Sequence, residues 1–226
     1  MTVRKIPRKS RSLSGLFPST KNGRQLAFES ALERDLFLLL EFSPEVRRFE
    51  EQPVRIVVQH PDGREGTYVP DVLVGYHDAS RPEELLEVKY EETLRTDAEE
   101  LAPVFESANC HAQQNGLKFR VLTERDIRTP YLRSAKFLLP YRDHVPNTAV
   151  IDALHCAISL NGPLIVSALI SAASVATSVI HAKVLPVVWH LVACFELTVD
   201  LDRPLTMESV ISQDAQILRT PPQRVQ

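Results

Sequence analysis

Two short apolar segments carry ionisable groups where a strand packed on both faces has no room for them. In Tyr68-Val-Pro-Asp-Val-Leu-Val-Gly75, Asp71 follows Pro70 at the entry to the segment; in Glu84-Leu-Leu-Glu-Val-Lys-Tyr90, Glu87 and Lys89 lie two apart. Both segments read as β-strands. The first is entered through a proline, tolerated at a strand's opening positions, and the second is rich enough in Leu and Val to be buried. Alternation places residues 87 and 89 on one face. Burying carboxylates and an ammonium is costly unless they are paired or bound to a metal. Two hard oxygen ligands sixteen residues apart (87 − 71), with an ammonium beside them, form the donor set for Mg²⁺-assisted hydrolysis of a phosphodiester. The plainer alternative is a Glu and a Lys on a solvated edge strand, because a Glu-x-Lys recurs by chance.

At 226 residues, 44% hydrophobic and 24% charged, the chain can bury one ordinary core and a smaller second one. Cys110, Cys156 and Cys194 are widely spaced and odd in number, which fits reduced thiols in a cytoplasmic protein. The seven histidines form no HExxH or Cys/His cluster, which argues against a zinc site. Residues 153–182 lack Asp, Glu, Lys and Arg, but five serines and the Asn161-Gly-Pro163 break point to a buried helical subdomain and not to a membrane span. The basic start is not followed by an apolar run, so it does not read as a secretory signal.

Net charge is −3, yet residues 1–24 hold seven Lys/Arg and no acid, leaving −10 on the remainder (−3 − 7). This segment reads as a basic flexible arm in which Arg4, Lys5, Arg8, Lys9 and Arg11 can track DNA phosphates. A helix is expected over residues 26–42, on the stripe Leu26, Leu32, Leu36, Leu39 and Leu40, ended by Ser43-Pro44. Glu29 and Glu33, four apart, invite a cation, a basic partner or plain solvation. Strands follow over 46–49 and 54–58, the second turning at Pro61-Asp-Gly63 into the Asp71 strand as a hairpin. A helix over 93–115, kinked or restarted at Pro103 and stopped at Asn115-Gly116, leads to a strand over 119–123. This order gives an α/β core whose sheet carries the carboxylates. Beyond Pro146, helices near 148–160, 164–171 and 174–195 and a hairpin pairing 197–201 with 205–210 suggest a winged helix-turn-helix. With four basic and six acidic residues from 147 onward, it suits protein docking better than base reading.

Four ordered motifs, Phe28-Glu-Ser-Ala-Leu-Glu-Arg-Asp35, Arg48-Phe-Glu-Glu-Gln-Pro53, Tyr68-Val-Pro-Asp-Val-Leu-Val74 and Leu86-Glu-Val-Lys89, resemble the TnsA family. These are endonuclease subunits of heteromeric cut-and-paste transposases. The resemblance covers residues 17–140. It implies a restriction-endonuclease-like PD-(D/E)XK mixed-sheet core, with a C-terminal helical winged-helix-like domain. It further implies Mg²⁺, for which Mn²⁺ can substitute, held by Glu33, Asp71 and Glu87, with Lys89 as the catalytic lysine. Some relatives carry Gln in place of the second strand acid; here it is Glu87. Glu29 and Gln52 match positions expected behind the metal ligands. The implied activity is cleavage of transposon 5′ ends in concert with a TnsB-type DDE recombinase, with a TnsC-type AAA+ ATPase contacted through the C-terminal region.

The expected organisation is therefore a basic arm over 1–24, an endonuclease domain over 25–146, a winged-helix-like domain over 147–212 and a flexible tail over 213–226. Arg34, Arg47, Arg48 and Lys118 are further candidates for phosphate contact. A catalytically silent DNA-bridging or assembly subunit, or a stand-alone restriction or repair nuclease of the same fold, are the competing readings.

Overall fold

The computed structural model of the chain describes residues 13–59 and 63–213. They fall into two compact units that divide between Ile127 and Arg128.

The first unit opens on a hairpin, β1 (Gly15–Ser19) and β2 (Arg24–Phe28). Leu26 and Phe28 are buried while Gln25 and Ala27, which alternate with them, are exposed, so the repeat here is two and not the helical 3.6. The helix expected from Leu26 therefore begins later, as α1 (Ala31–Phe42), and the part of the basic arm within the described residues is an ordered hairpin. A carboxylate fixes that hairpin. Glu41, buried near the end of α1, accepts from Ser19 Oγ at 2.6 Å, Thr20 N–H at 3.1 Å and Lys21 N–H at 3.2 Å.

The central sheet has the order β3 (Val46–Glu51), β6 (Val72–Tyr76), β7 (Glu84–Val88), β8 (Lys118–Leu122). Between the first two in sequence lie β4 (Ile56–Gln59) and β5 (Glu65–Tyr68), which form a separate two-stranded hairpin. The hairpin expected to turn into the Asp71 strand turns instead into β5, and Asp71 follows a break at Val69-Pro70, because Pro70 lacks the N–H that would continue a ladder. Strand β6 runs antiparallel to β3 and β7, whereas β7 and β8 are parallel. A parallel pair needs a crossover, supplied by α2 (Glu91–Thr96) and α3 (Ala98–Gln114). The interruption expected at Pro103 falls at Asp97 instead, and α3 runs through Pro103 before Gly116, at φ 69°, ends the turn after it. The short helix α4 (Glu124–Ile127) closes the unit. Val72, Val74, Leu86 and Val88 pack with Leu32, Leu36 and Phe37 of α1 in one core. All five residues of β7 are buried.

The second unit contains α5 (Pro130–Leu138), a 3-10 helix (Leu139–Asp143), α6 (Thr148–Asn161), β9 (Leu164–Ile165), α7 (Val166–Thr177), α8 (His181–Ala193) and β10 (Val210–Ile211). It starts earlier than the 146/147 boundary read from composition. Helix α5 and the 3-10 helix pack against α8, with Arg142 Nε donating to the Ala193 carbonyl at 3.0 Å and Phe137 edge-on to Trp189. The expected pairing of 197–201 with 205–210 is replaced by β10 against β9 and an antiparallel bridge between Thr198 and Ser212. Among the described residues no single helix is long and apolar enough to cross a membrane; α7 and α8 pass such a test only together and are bent by 118° at their junction.

Candidate active site

The register of the sheet brings the two strand acids together. Val72 pairs with Leu86 across the antiparallel β6–β7 ladder, so the next step outward sets Asp71 beside Glu87, on the face opposite the Leu86 and Val88 side chains. Asp71 Oδ2 accepts the Val88 N–H at 2.7 Å. Lys89 continues the ladder, its N–H donating to the Leu122 carbonyl at 3.0 Å, and its Nζ is ion-paired with Glu87 Oε1. The other oxygen of Glu87, Oε2, accepts the Tyr68 hydroxyl at 2.6 Å.

The electrostatics follow from burial. Glu87 is 2% exposed. Asp71, half-buried and facing the Glu87 charge, has its pKa pushed up to about 8 by desolvation first and then by Glu87, against the opposing pull of Lys89 and the Val88 N–H. Burial lowers the Lys89 pKa, but the Glu87, Asp71 and Glu33 carboxylates outweigh it and hold the ammonium above its ordinary value. Lys89 is therefore a fixed cation and not a base. Burial first, then Glu87, raises the Tyr68 phenol, keeping it a hydrogen-bond donor.

Glu33 and its neighbours form a second set of contacts. Ser30 caps α1, its Oγ accepting the Glu33 N–H at 3.1 Å, while Glu33 Oε2 accepts the Glu29 N–H at 2.9 Å. This is a variant of the capping box. Glu29 Oε1 in turn accepts Gln52 Nε2 at 2.9 Å, and the Gln52 N–H donates to the Asp71 carbonyl at 2.9 Å. Gln52 stands at φ 47°, a left-handed conformation that costs a non-glycine residue roughly 1–2 kcal/mol. Glu29 and Gln52 thus tie the start of α1 to the Asp71 segment.

Among the described residues no three His, Cys, Asp or Glu side chains gather as a group that could hold a metal ion. The three-acid ligand set of Glu33, Asp71 and Glu87 is therefore not assembled: the Glu33 carboxylate is engaged in capping its own helix. What the fold brings together is Asp71 with Glu87 and Lys89, with Glu33 within electrostatic reach of Asp71. A buried carboxylate beside a half-buried one that ionises only with difficulty fits a divalent cation that keeps most of its waters and takes one or two protein oxygens.

Of the other candidates, Arg4, Lys5, Arg8, Lys9 and Arg11 lie outside the described residues. Arg34 pairs with Asp35, and Arg47 and Arg48 with Glu83, whereas Lys118 is exposed at the start of β8. Tyr68 was missed by sequence reasoning. Its signal was its place three residues before Asp71, in a segment that reads as an ordinary strand.

A sequence model described as the TnsA-like endonuclease N-terminal domain matches residues 43–124. This segment is similar to that endonuclease domain. The match contains β3 through β8 and hence Gln52, Tyr68, Asp71, Glu87 and Lys89, but not Glu29, Glu33 or the second unit. No curated protein matches the chain.

Proposed function

We propose that this TnsA-like chain is a Mg²⁺-dependent DNA endonuclease subunit of a cut-and-paste transposase, cleaving transposon 5′ ends in concert with a TnsB-type DDE recombinase. The observation that carries the reading is the pairing of Asp71 and Glu87 across β6 and β7 with Lys89 alongside. Asp71 and Glu87 are the proposed ligands, and Glu33 an acid behind them. When bound, Mg²⁺, or Mn²⁺ in its place, would supply Lewis-acid polarisation of the scissile phosphate and activation of the attacking water. Asp71 and Glu87 would orient the attacking water toward phosphorus. As its oxygen bonds to phosphorus the P–O bond to the leaving strand breaks, the water gives its proton to solvent and the leaving oxygen takes one up, and Lys89 would balance the negative charge that develops on the phosphoryl oxygens.

The second unit suits a docking role. Helices α6, α7 and α8, with β9 between the first two of them pairing with β10, support a winged-helix-like reading. The mildly acidic balance from residue 147 onward, four basic against six acidic residues, favours a protein partner, a TnsC-type AAA+ ATPase, over DNA bases. The basic N-terminal residues are proposed to contact phosphates.

The test mixes the chain with its recombinase and ATPase on DNA carrying transposon ends, with Mg²⁺. Asp71→Ala is expected to abolish 5′-end cleavage while leaving the fold and partner binding intact; retained 5′ cleavage by that variant removes the assignment. The chain alone is expected to be nearly idle on the same DNA, and efficient unaided nicking would favour a stand-alone nuclease.

A further inference from the structure

We propose that Tyr68 is a positioning residue of this site, whose hydroxyl holds the Glu87 carboxylate turned toward Asp71 for binding a divalent cation. The inference rests on the reading of Asp71 and Glu87 as cation ligands. Tyr68 ends β5, in a hairpin separate from the central sheet, yet its hydroxyl reaches Glu87 Oε2 at 2.6 Å while Lys89 holds Oε1. The terminal torsion of a glutamate is broad and has no sharp rotamer of its own, so external donors decide where its lone pairs point. Phenol and ammonium divide the two oxygens between them. Each oxygen keeps a further lone pair for a cation.

Without the phenol, the carboxylate loses the hydrogen bond that balances the neighbouring ammonium, and a swing wholly onto that ammonium would turn its lone pairs away from Asp71. Asp71 is anchored through the Val88 N–H, a backbone donor. Glu87 depends on side chains alone for the hydrogen bonds to its carboxylate that the structure shows. Groups that orient a metal ligand from behind are typically worth 10–100-fold in metal affinity.

The experiment titrates Mn²⁺ into the DNA-free full-length protein by isothermal calorimetry, for wild type, Y68F, E87Q, the double variant and D71A. Tyr68→Phe keeps the ring and removes only the donor. It is expected to weaken Mn²⁺ binding about 10- to 100-fold, with an unchanged circular dichroism spectrum and no further loss when added to E87Q. Wild-type affinity in Y68F, an equal loss in the E87Q background, or failure of Y68F to fold would each assign Tyr68 a merely structural role and overturn the proposal. The underlying reading fails separately: wild type and D71A binding Mn²⁺ alike, or neither binding it, removes the cation site and this inference with it. Loss in D71A without loss in Y68F leaves the site standing and removes Tyr68 from it.

Discussion

Asp71 illustrates how one residue can be both a structural liability and the centre of a site. Its pKa is pushed from an ordinary 3.8 to about 8, by burial first and then by Glu87. The folded, metal-free protein therefore holds this proton more tightly than the unfolded chain does. Stability must fall as pH rises from about 4 to about 8 and level off above. Asp71→Asn removes the charge and that dependence, so the gap between variant and wild-type melting temperatures, measured without metal, should widen across this window; a constant gap would contradict the assigned burial. Added Mg²⁺ should raise the wild-type melting temperature more at pH 8 than at pH 6, because it competes with the proton for the same oxygens, and should leave Asp71→Asn nearly unmoved. Asp71, Glu87 and Lys89 were legible in the sequence because charged types inside apolar strands are expensive and demand a reason. Tyr68 was not, since a tyrosine in a strand is ordinary, and its partner is set by how a hairpin lies against the sheet. The local engagement of Glu33 could have been read from Ser30 three residues before it, a capping-box signature in which capping occupies the carboxylate.

At the level of elements, periodicity found the four strands of the central sheet and the helices α1 and α3, but misread where α1 begins. Leu26 fits both a helical stripe and a strand alternation, and the tertiary contacts of the hairpin settle it: Leu26 is fully buried beside Phe17 and Phe28 in the core. The parallel β7–β8 pairing follows from a helix lying between the two strands, whereas the partner of β10 lies far away in sequence and local pattern carries no trace of it. A hydroxyl and a carboxylate acceptor at opposite ends of α1, Ser30 and Glu41, give a graded prediction. Ser30→Ala removes one cap hydrogen bond and should cost about 1 kcal/mol. Glu41→Ala leaves three donors of the β1–β2 turn without their buried carboxylate and should cost more, about 1.5–3 kcal/mol. Denaturant titration of the two variants ranks them, and an equal or reversed order would mean that Glu41 does not hold the hairpin.

For the whole molecule, the division between Ile127 and Arg128 predicts separable unfolding. Leu154, fully buried in α6, when cut back to Ala should cost about 2–5 kcal/mol in the second unit alone. Scanning calorimetry should show one transition lowered while the transition that responds to Mg²⁺ stays in place; both moving together would indicate a single cooperative body. Within the first unit, Glu87 rides on a strand with no exposed position, and the amide that steadies Asp71 belongs to the last residue of that strand. Exchange of the Val88 amide hydrogen with solvent deuterium therefore requires the carboxylate to let go, so that one proton serves as a clock for how often the two acids part company in the resting protein.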